Sequence, residues 1–141
     1  MNKMRLKLQL VRHEGMRLKP YRDSVGKLTI GVGRNLEDVG LSNLEARLLL
    51  DNDVERVEQE LIRRLTWYQS LSDVRQRVLM DMAFNLGVEG LLKFTRALSA
   101  MADKDFAKAS EEMLNSKWAQ QVGQRAHDLA AMMLTDADPA P

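Results

Sequence analysis

The sequence predicts an α+β fold, predominantly α, in which one small hairpin near the N-terminus precedes a long helix and a series of shorter ones. Three observations carry this reading. Apolar residues recur at helical spacing through most of the chain. The one β-type run, Lys27-Leu-Thr-Ile-Gly-Val-Gly33, follows a turn sequence. Ser42-Asn-Leu-Glu45 is a capping box, and the periodicity it opens lasts about 22 residues, or about 33 Å of helix. At 141 residues the chain fits one domain, or two small lobes sharing a core.

Residues 2–14 place Met4, Leu8 and Val11 on one helical face, flanked by Leu6 and Leu10, and Gly15 stops the helix as a C-terminal cap would. Pro20 pushes Lys19 toward extended or turn geometry. With Ser24-Val-Gly26 as the turn, residues 20–34 read as a hairpin and the only sheet. From Ser42 the positions Leu44, Leu48, Val54, Val57, Leu61 and Leu65 predict a helix to about Arg64, long enough to join two lobes. Ser72 or Asp73 caps the next helix, with Val74, Val78, Met82 and Leu86 on its face and Gly87 at its end. Further helices are expected at 88–101, 104–114 and 123–134, and 136–141 reads as a frayed tail.

Composition narrows the chemistry. Without cysteine, disulfides, thiolate catalysis and zinc-thiolate sites are excluded, and two histidines are too few for a histidine-built metal site. Nine methionines against five Phe and Trp suggest an adaptable core. No apolar run approaches the roughly 18 residues of a membrane span, and residues 1–10 lack a signal-peptide core. The formal charge of +1 is unevenly spread: residues 1–34 hold Lys3, Arg5, Lys7, Arg12, Arg17, Lys19, Arg22, Lys27 and Arg34 against Glu14 and Asp23 alone. Such a segment attracts a polyanion or an anionic surface, or is a set of solvated faces. Nucleic acid is disfavoured, because only Tyr21 interleaves the basic residues.

The stretch Glu14–Arg34 carries the chemistry. Glu14 sits where a helix ends, against the helix dipole and so not for local stability. Asp23 falls in the following turn, and Thr29 on a short strand closed by glycines. Two carboxyls in different local settings are what acid–base cleavage of a sugar bond requires. Taken singly, Asp23 is an ordinary turn former and Thr29 an ordinary strand residue.

In that order and spacing, Glu14-Gly15, Asp23 and Gly26-Lys-Leu-Thr29-Ile-Gly31-Val-Gly33 resemble the phage T4-type lysozymes, glycoside hydrolase family 24. The likeness continues through Asn52-Asp53-Val54, Ala83-Phe84-Asn85-Leu86-Gly87, Lys93-Phe94-Thr95, Ser116-Lys117-Trp118 and Arg125-Ala126. It implies a lysozyme-like fold: a small lobe at 15–45, a connecting helix at 42–65, and a helical lobe from 1–14 and 66–135. It implies an endolysin hydrolysing the β-1,4 bond between N-acetylmuramic acid and N-acetylglucosamine in peptidoglycan, with no metal or cofactor. Glu14 would be the general acid, Asp23 the ionised carboxylate assisting water, and Thr29 the hydroxyl orienting it. That division of roles matches inversion, for which the carboxyls stand roughly 6.5–9.5 Å apart. Competing readings are a lytic transglycosylase on the same substrate and an inactive peptidoglycan-binding module.

The resemblance also implies that Arg125 pairs with the catalytic Glu, that Phe84 lines the sugar cleft or joins the core, and that Asn85 offers an amide to sugar. His13 reads as a proton shuttle or, more simply, as a surface histidine. Where better-known members have a His followed by a longer β-rich insert, this chain has Arg34 and only Asn35–Leu41, so a smaller lobe is expected. The family's His–Asp pair should become Arg34–Asp53. Two sugar-contacting positions are occupied here by Ala97 and Glu112. The implied partners are glycan strands, with no nucleic acid and no stable membrane insertion. The chain would act as a monomer, held in the host cytoplasm until a holin opens the way to the wall.

Overall fold

A computed structural model describes residues 1–139 and divides the chain into two compact units, Met1–Leu50 and the remainder from Asp51. Eight α-helices and one three-stranded antiparallel sheet lie among the described residues, the predominantly helical α+β fold that the sequence predicts.

The first unit begins with α1 (Lys3–Glu14). The Asn2 side chain caps it, accepting from the backbone N–H of Arg5 at 3.0 Å. Gly15, at φ +78°, ends it and turns the chain into β1 (Arg17–Arg22). The hairpin partner is β2 (Leu28–Gly31), with Tyr21 opposite Thr29 and Arg22 opposite Leu28. The register slips between Arg17 and Tyr21, where Pro20 has no N–H for a ladder on this edge strand. A third strand, β3 (Arg34–Asn35), pairs Thr29 with Asn35 and Ile30 with Arg34. It was not expected, since two residues carry no periodic signal.

Helix α2 (Asn43–Arg64) opens on the capping box as formed: Ser42 Oγ accepts from Glu45 N at 3.1 Å, and Glu45 Oε1 accepts from Ser42 N at 2.8 Å. It runs through the end of the first unit and into the second. Among the described residues of the first unit, Thr29 alone is buried.

The second unit holds the apolar core. After a 3-10 turn at Tyr68–Ser70 come α3 (Asp73–Leu86), α4 (Val88–Leu92), α5 (Thr95–Ala102), α6 (Phe106–Leu114), α7 (Lys117–Val122) and α8 (Gln124–Thr135). The span expected as one helix over 88–101 is two, broken at Lys93-Phe94, and α7 is additional to the expected set. Leu61, Val78, Leu79 and Leu91 are fully buried beside Met82, Met101, Met113 and Met133, so flexible thioethers do fill much of the interior. Buried Ser110 donates to the Ala130 carbonyl at 2.7 Å and buried Tyr68 to Glu58 at 2.9 Å, so both hydroxyls are satisfied. Burial first, and the neighbouring Glu58 carboxylate second, push the Tyr68 phenol above its usual range.

The expected fraying of the tail does not extend to Asp136 and Asp138. Asp136 accepts from Ser72 and lies 3.7 Å from Arg75, while Asp138 takes Arg77 at 2.6 Å. Arg75 also donates through Nε to the Met133 carbonyl at 2.8 Å and stacks its guanidinium 3.6 Å above the Phe106 ring. Cations on α3 thus satisfy the end of α8, which a residue-by-residue reading of the tail could not register. Residues 140–141 of the predicted tail lie outside the described ones.

Candidate active site

Three residues named from the sequence, Glu14, Asp23 and Thr29, belong to the first unit, and its backbone sets each of them. Glu14 is the last residue of α1 and is exposed. Its carboxylate lies against Gly33 in the turn between β2 and β3, where a Cβ would sit 3.3 Å from Glu14 Oε2. Gly33 also has φ +69°, so the turn needs glycine twice over: for its backbone, and for the room it leaves the carboxylate.

Asp23 closes the hairpin turn. Its Oδ1 accepts from the backbone N–H of Val25 at 3.0 Å and of Lys27 at 2.8 Å, which fixes the carboxylate's orientation. Its Oδ2 has no hydrogen-bond partner among the described residues. The turn-former reading of Asp23 is therefore correct as local structure, and it leaves one oxygen for chemistry.

Thr29 is 3% exposed. Its Oγ1 donates to the Lys27 carbonyl at 2.8 Å, and the same carbonyl accepts the Asp23 N–H at 2.9 Å. The backbone of one residue, Lys27, thus holds both side chains: its N–H donates to Asp23 Oδ1 and its carbonyl accepts from Thr29 Oγ1. With its proton committed to Lys27, the threonine oxygen faces any further partner as an acceptor. No residue pattern marks this link, because it runs through the Lys27 backbone, while the Lys27 side chain turns to Asp38.

Arg34 corrects an expectation. It pairs with Glu45 rather than Asp53, through two parallel contacts of 3.0 and 2.7 Å, and also donates to the Gly40 carbonyl at 2.9 Å. Glu45 is in the first turn of α2 and already oriented by Ser42, so it offers a preformed fork at low cost in side-chain entropy. The Arg34 hydrogen bond, then that from the Ser42 backbone, holds the Glu45 carboxyl down at about 2. Asp53 is engaged by Arg56 at 3.0 Å, one turn along α2.

The remaining candidates lie in the second unit. Arg125, for which the resemblance implies a catalytic-Glu partner, binds Asp81 through Nε at 2.8 Å and Nη2 at 2.7 Å. Phe84 is 42% exposed, not core, and lines an open hollow of about 470 Å³ with Asp53, Arg56, Glu60 and Glu89. Asn85 Oδ1 accepts from Trp118 Nε1 at 2.7 Å, which commits its carbonyl to packing the buried indole. Trp118 meets Phe94 edge-on at 5.8 Å. A larger hollow of about 620 Å³ is lined by Lys93, Arg96, Glu112, Lys117 and Gln121, and Ala97 also borders it. Lys93 and Lys117 stand in segments that carry the family likeness, but neither they nor Arg96 drew a functional role from the sequence. No cluster of His, Cys, Asp and Glu able to hold a metal occurs among the described residues.

The profile of the phage lysozyme family matches residues 11–132. The chain belongs to the phage lysozyme family. Among its relatives, a probable T4-type lysozyme of Dictyostelium discoideum is 26% identical, over 86% of this chain and 89% of that protein. The SAR-endolysin of Escherichia phage Mu is 28% identical, over 92% and 79%. The pre-baseplate central spike protein of Enterobacteria phage T4 is 30% identical over 89% of this chain, which spans 27% of that longer protein. Membership makes the chain a lysozyme-type glycosidase of the peptidoglycan-degrading kind, and the matched segment contains Glu14, Asp23 and Thr29 together.

Proposed function

We propose that the protein is an endolysin that hydrolyses the β-1,4 bond between N-acetylmuramic acid and N-acetylglucosamine with inversion. Glu14 protonates the leaving glycosidic oxygen, Asp23 accepts a proton from the attacking water through Oδ2, and Thr29 receives a hydrogen bond from that water. The observation that carries this reading is the backbone of Lys27, whose N–H donates to Asp23 Oδ1 and whose carbonyl accepts from Thr29 Oγ1, so that a carboxylate and an acceptor hydroxyl are tied to one residue. A positioned water needs such a pair, one group to take its proton and one to orient it.

The family setting supports the remaining parts of the reading. The substrate is the glycan strand, with Phe84 and the free amide N–H of Asn85 as sugar contacts and Arg125 as a supporting cation that acts through Asp81. The chain works as a monomer without cofactor. It resides in the host cytoplasm until a holin-type lesion admits it to the wall, in keeping with the absence, among the described residues, of any helix long and apolar enough to cross a membrane.

Mass spectrometry of muropeptides released from purified peptidoglycan tests the reaction. Hydrolysis leaves reducing ends, and NMR of fresh product gives the α-anomer if the reaction inverts. Products ending in 1,6-anhydro sugar would overturn hydrolysis in favour of a lytic transglycosylase. Binding without any product would mark a wall-binding module.

A further inference from the structure

The basic character of the N-terminal segment has no part in the glycosidase chemistry, and α1 gives it a shape. At helical spacing Met4, Leu8 and Val11 form one stripe, bordered by Lys3 and Lys7 on one side and Arg5 and Arg12 on the other. Nothing on α1 is buried, and Met4 and Leu8 are 75% and 67% exposed. Among the described residues none of the four cations has a carboxylate partner. In the same unit Arg22, Lys27 and Arg34 are paired with Glu37, Asp38 and Glu45. Arg17, Lys19 and Arg47 of that unit also lack a carboxylate partner among the described residues, Arg17 lying over the Tyr21 ring and Arg47 donating to Asn43, so α1 carries four of the seven such cations, beside its apolar stripe.

Exposed apolar residues also occur elsewhere in this unit, Leu18 and Leu44 among them, but on α1 they run between two rows of cations. A second copy laid on this stripe would bring four cations against four. An anionic bilayer surface satisfies both features, with headgroup phosphates for the flanking cations and the acyl boundary for the stripe. We propose that α1 docks peripherally on an anionic phospholipid surface through Met4 and Leu8, with Lys3, Arg5, Lys7 and Arg12 on the headgroups. The stripe is short, so the attachment is reversible and needs both its apolar and its ionic part. The proposal is independent of the catalytic reading, since binding is measured without turnover.

Flotation of the whole protein with vesicles of phosphatidylcholine, or of phosphatidylcholine mixed with phosphatidylglycerol, tests it. Binding is expected only to the mixed vesicles, and is expected to fall with added salt. Lys3→Glu/Lys7→Glu and Met4→Ser/Leu8→Ser should each weaken it roughly tenfold or more. Circular dichroism melts of both variants should match the wild type, because the four side chains are exposed; if the reversal misfolds, Lys3→Gln/Lys7→Gln replaces it. Equal binding to both vesicle types, or none to either, would overturn the proposal. So would binding that ignores Met4→Ser/Leu8→Ser, which is adsorption by charge alone. Light scattering that shows a dimer lost in that variant would overturn it too, by giving the stripe to a second copy.

Discussion

The Lys27 carbonyl accepts from the Asp23 backbone and from the Thr29 hydroxyl at once, so the two side chains cannot be perturbed independently of the turn. Thr29→Val removes one of those bonds and the acceptor oxygen while keeping the shape. It should lower stability by about 1 kcal/mol, read by urea unfolding, and reduce activity far more than that loss explains. Thr29→Ser should restore most of both. Gly33→Ala forces a Cβ into positive φ and against the Glu14 carboxylate. The expected cost is about 1–2 kcal/mol of stability, with an additional fall in kcat. What the sequence made legible at this scale was the residue types and their order. The contacts of Gly33 with Glu14 and of Lys27 with two neighbours were not legible, because both run through a backbone position whose side chain plays no part.

At the scale of elements, caps and breaks decided how far the sequence could be read. Gly15, the Ser42–Glu45 box, Ser72 and Gly87 act locally, and helices α1, α2 and α3 begin or end where they predict. The break at Lys93-Phe94 has no glycine or proline, and six-residue α7 is too short to show a period. Arg34 has several carboxylates C-terminal to it, and which one it meets depends on tertiary approach, so its partner was misread. Its pairing with Glu45 makes a pH prediction. The Glu45 carboxyl is held at about 2 in the folded chain, below its ordinary value. A depressed carboxyl gives stability that is present above the unfolded value and lost as pH falls through the folded one. Coupling between Arg34 and Glu45 in a double-mutant cycle should thus be present at pH 7 and should fade between about pH 4.5 and 2. The Arg34–Asp53 cycle should show none at either pH. On the second unit, Arg75→Ala removes the guanidinium from the Met133 carbonyl and the Phe106 face together. It should cost about 2 kcal/mol or more in urea unfolding, and loosen the end of α8 first in hydrogen exchange.

At the scale of the whole molecule, one chain combines a methionine-rich helical core in the second unit with a basic first unit that carries Glu14, Asp23 and Thr29, the residues proposed to act. The fold class followed from helical periodicity, one β-type run after a turn and a capping box, whereas the family followed from a spacing of three residues and their glycines, which periodicity does not encode. The account rests on Glu14 and Asp23 acting as acid and base. Its most direct test is the release of reducing ends from purified peptidoglycan by wild type, Glu14→Gln and Asp23→Asn, each with an unchanged melting curve. Both variants should lose about 10²–10⁴-fold in turnover. Retention of activity within about tenfold by either one would contradict the roles assigned here.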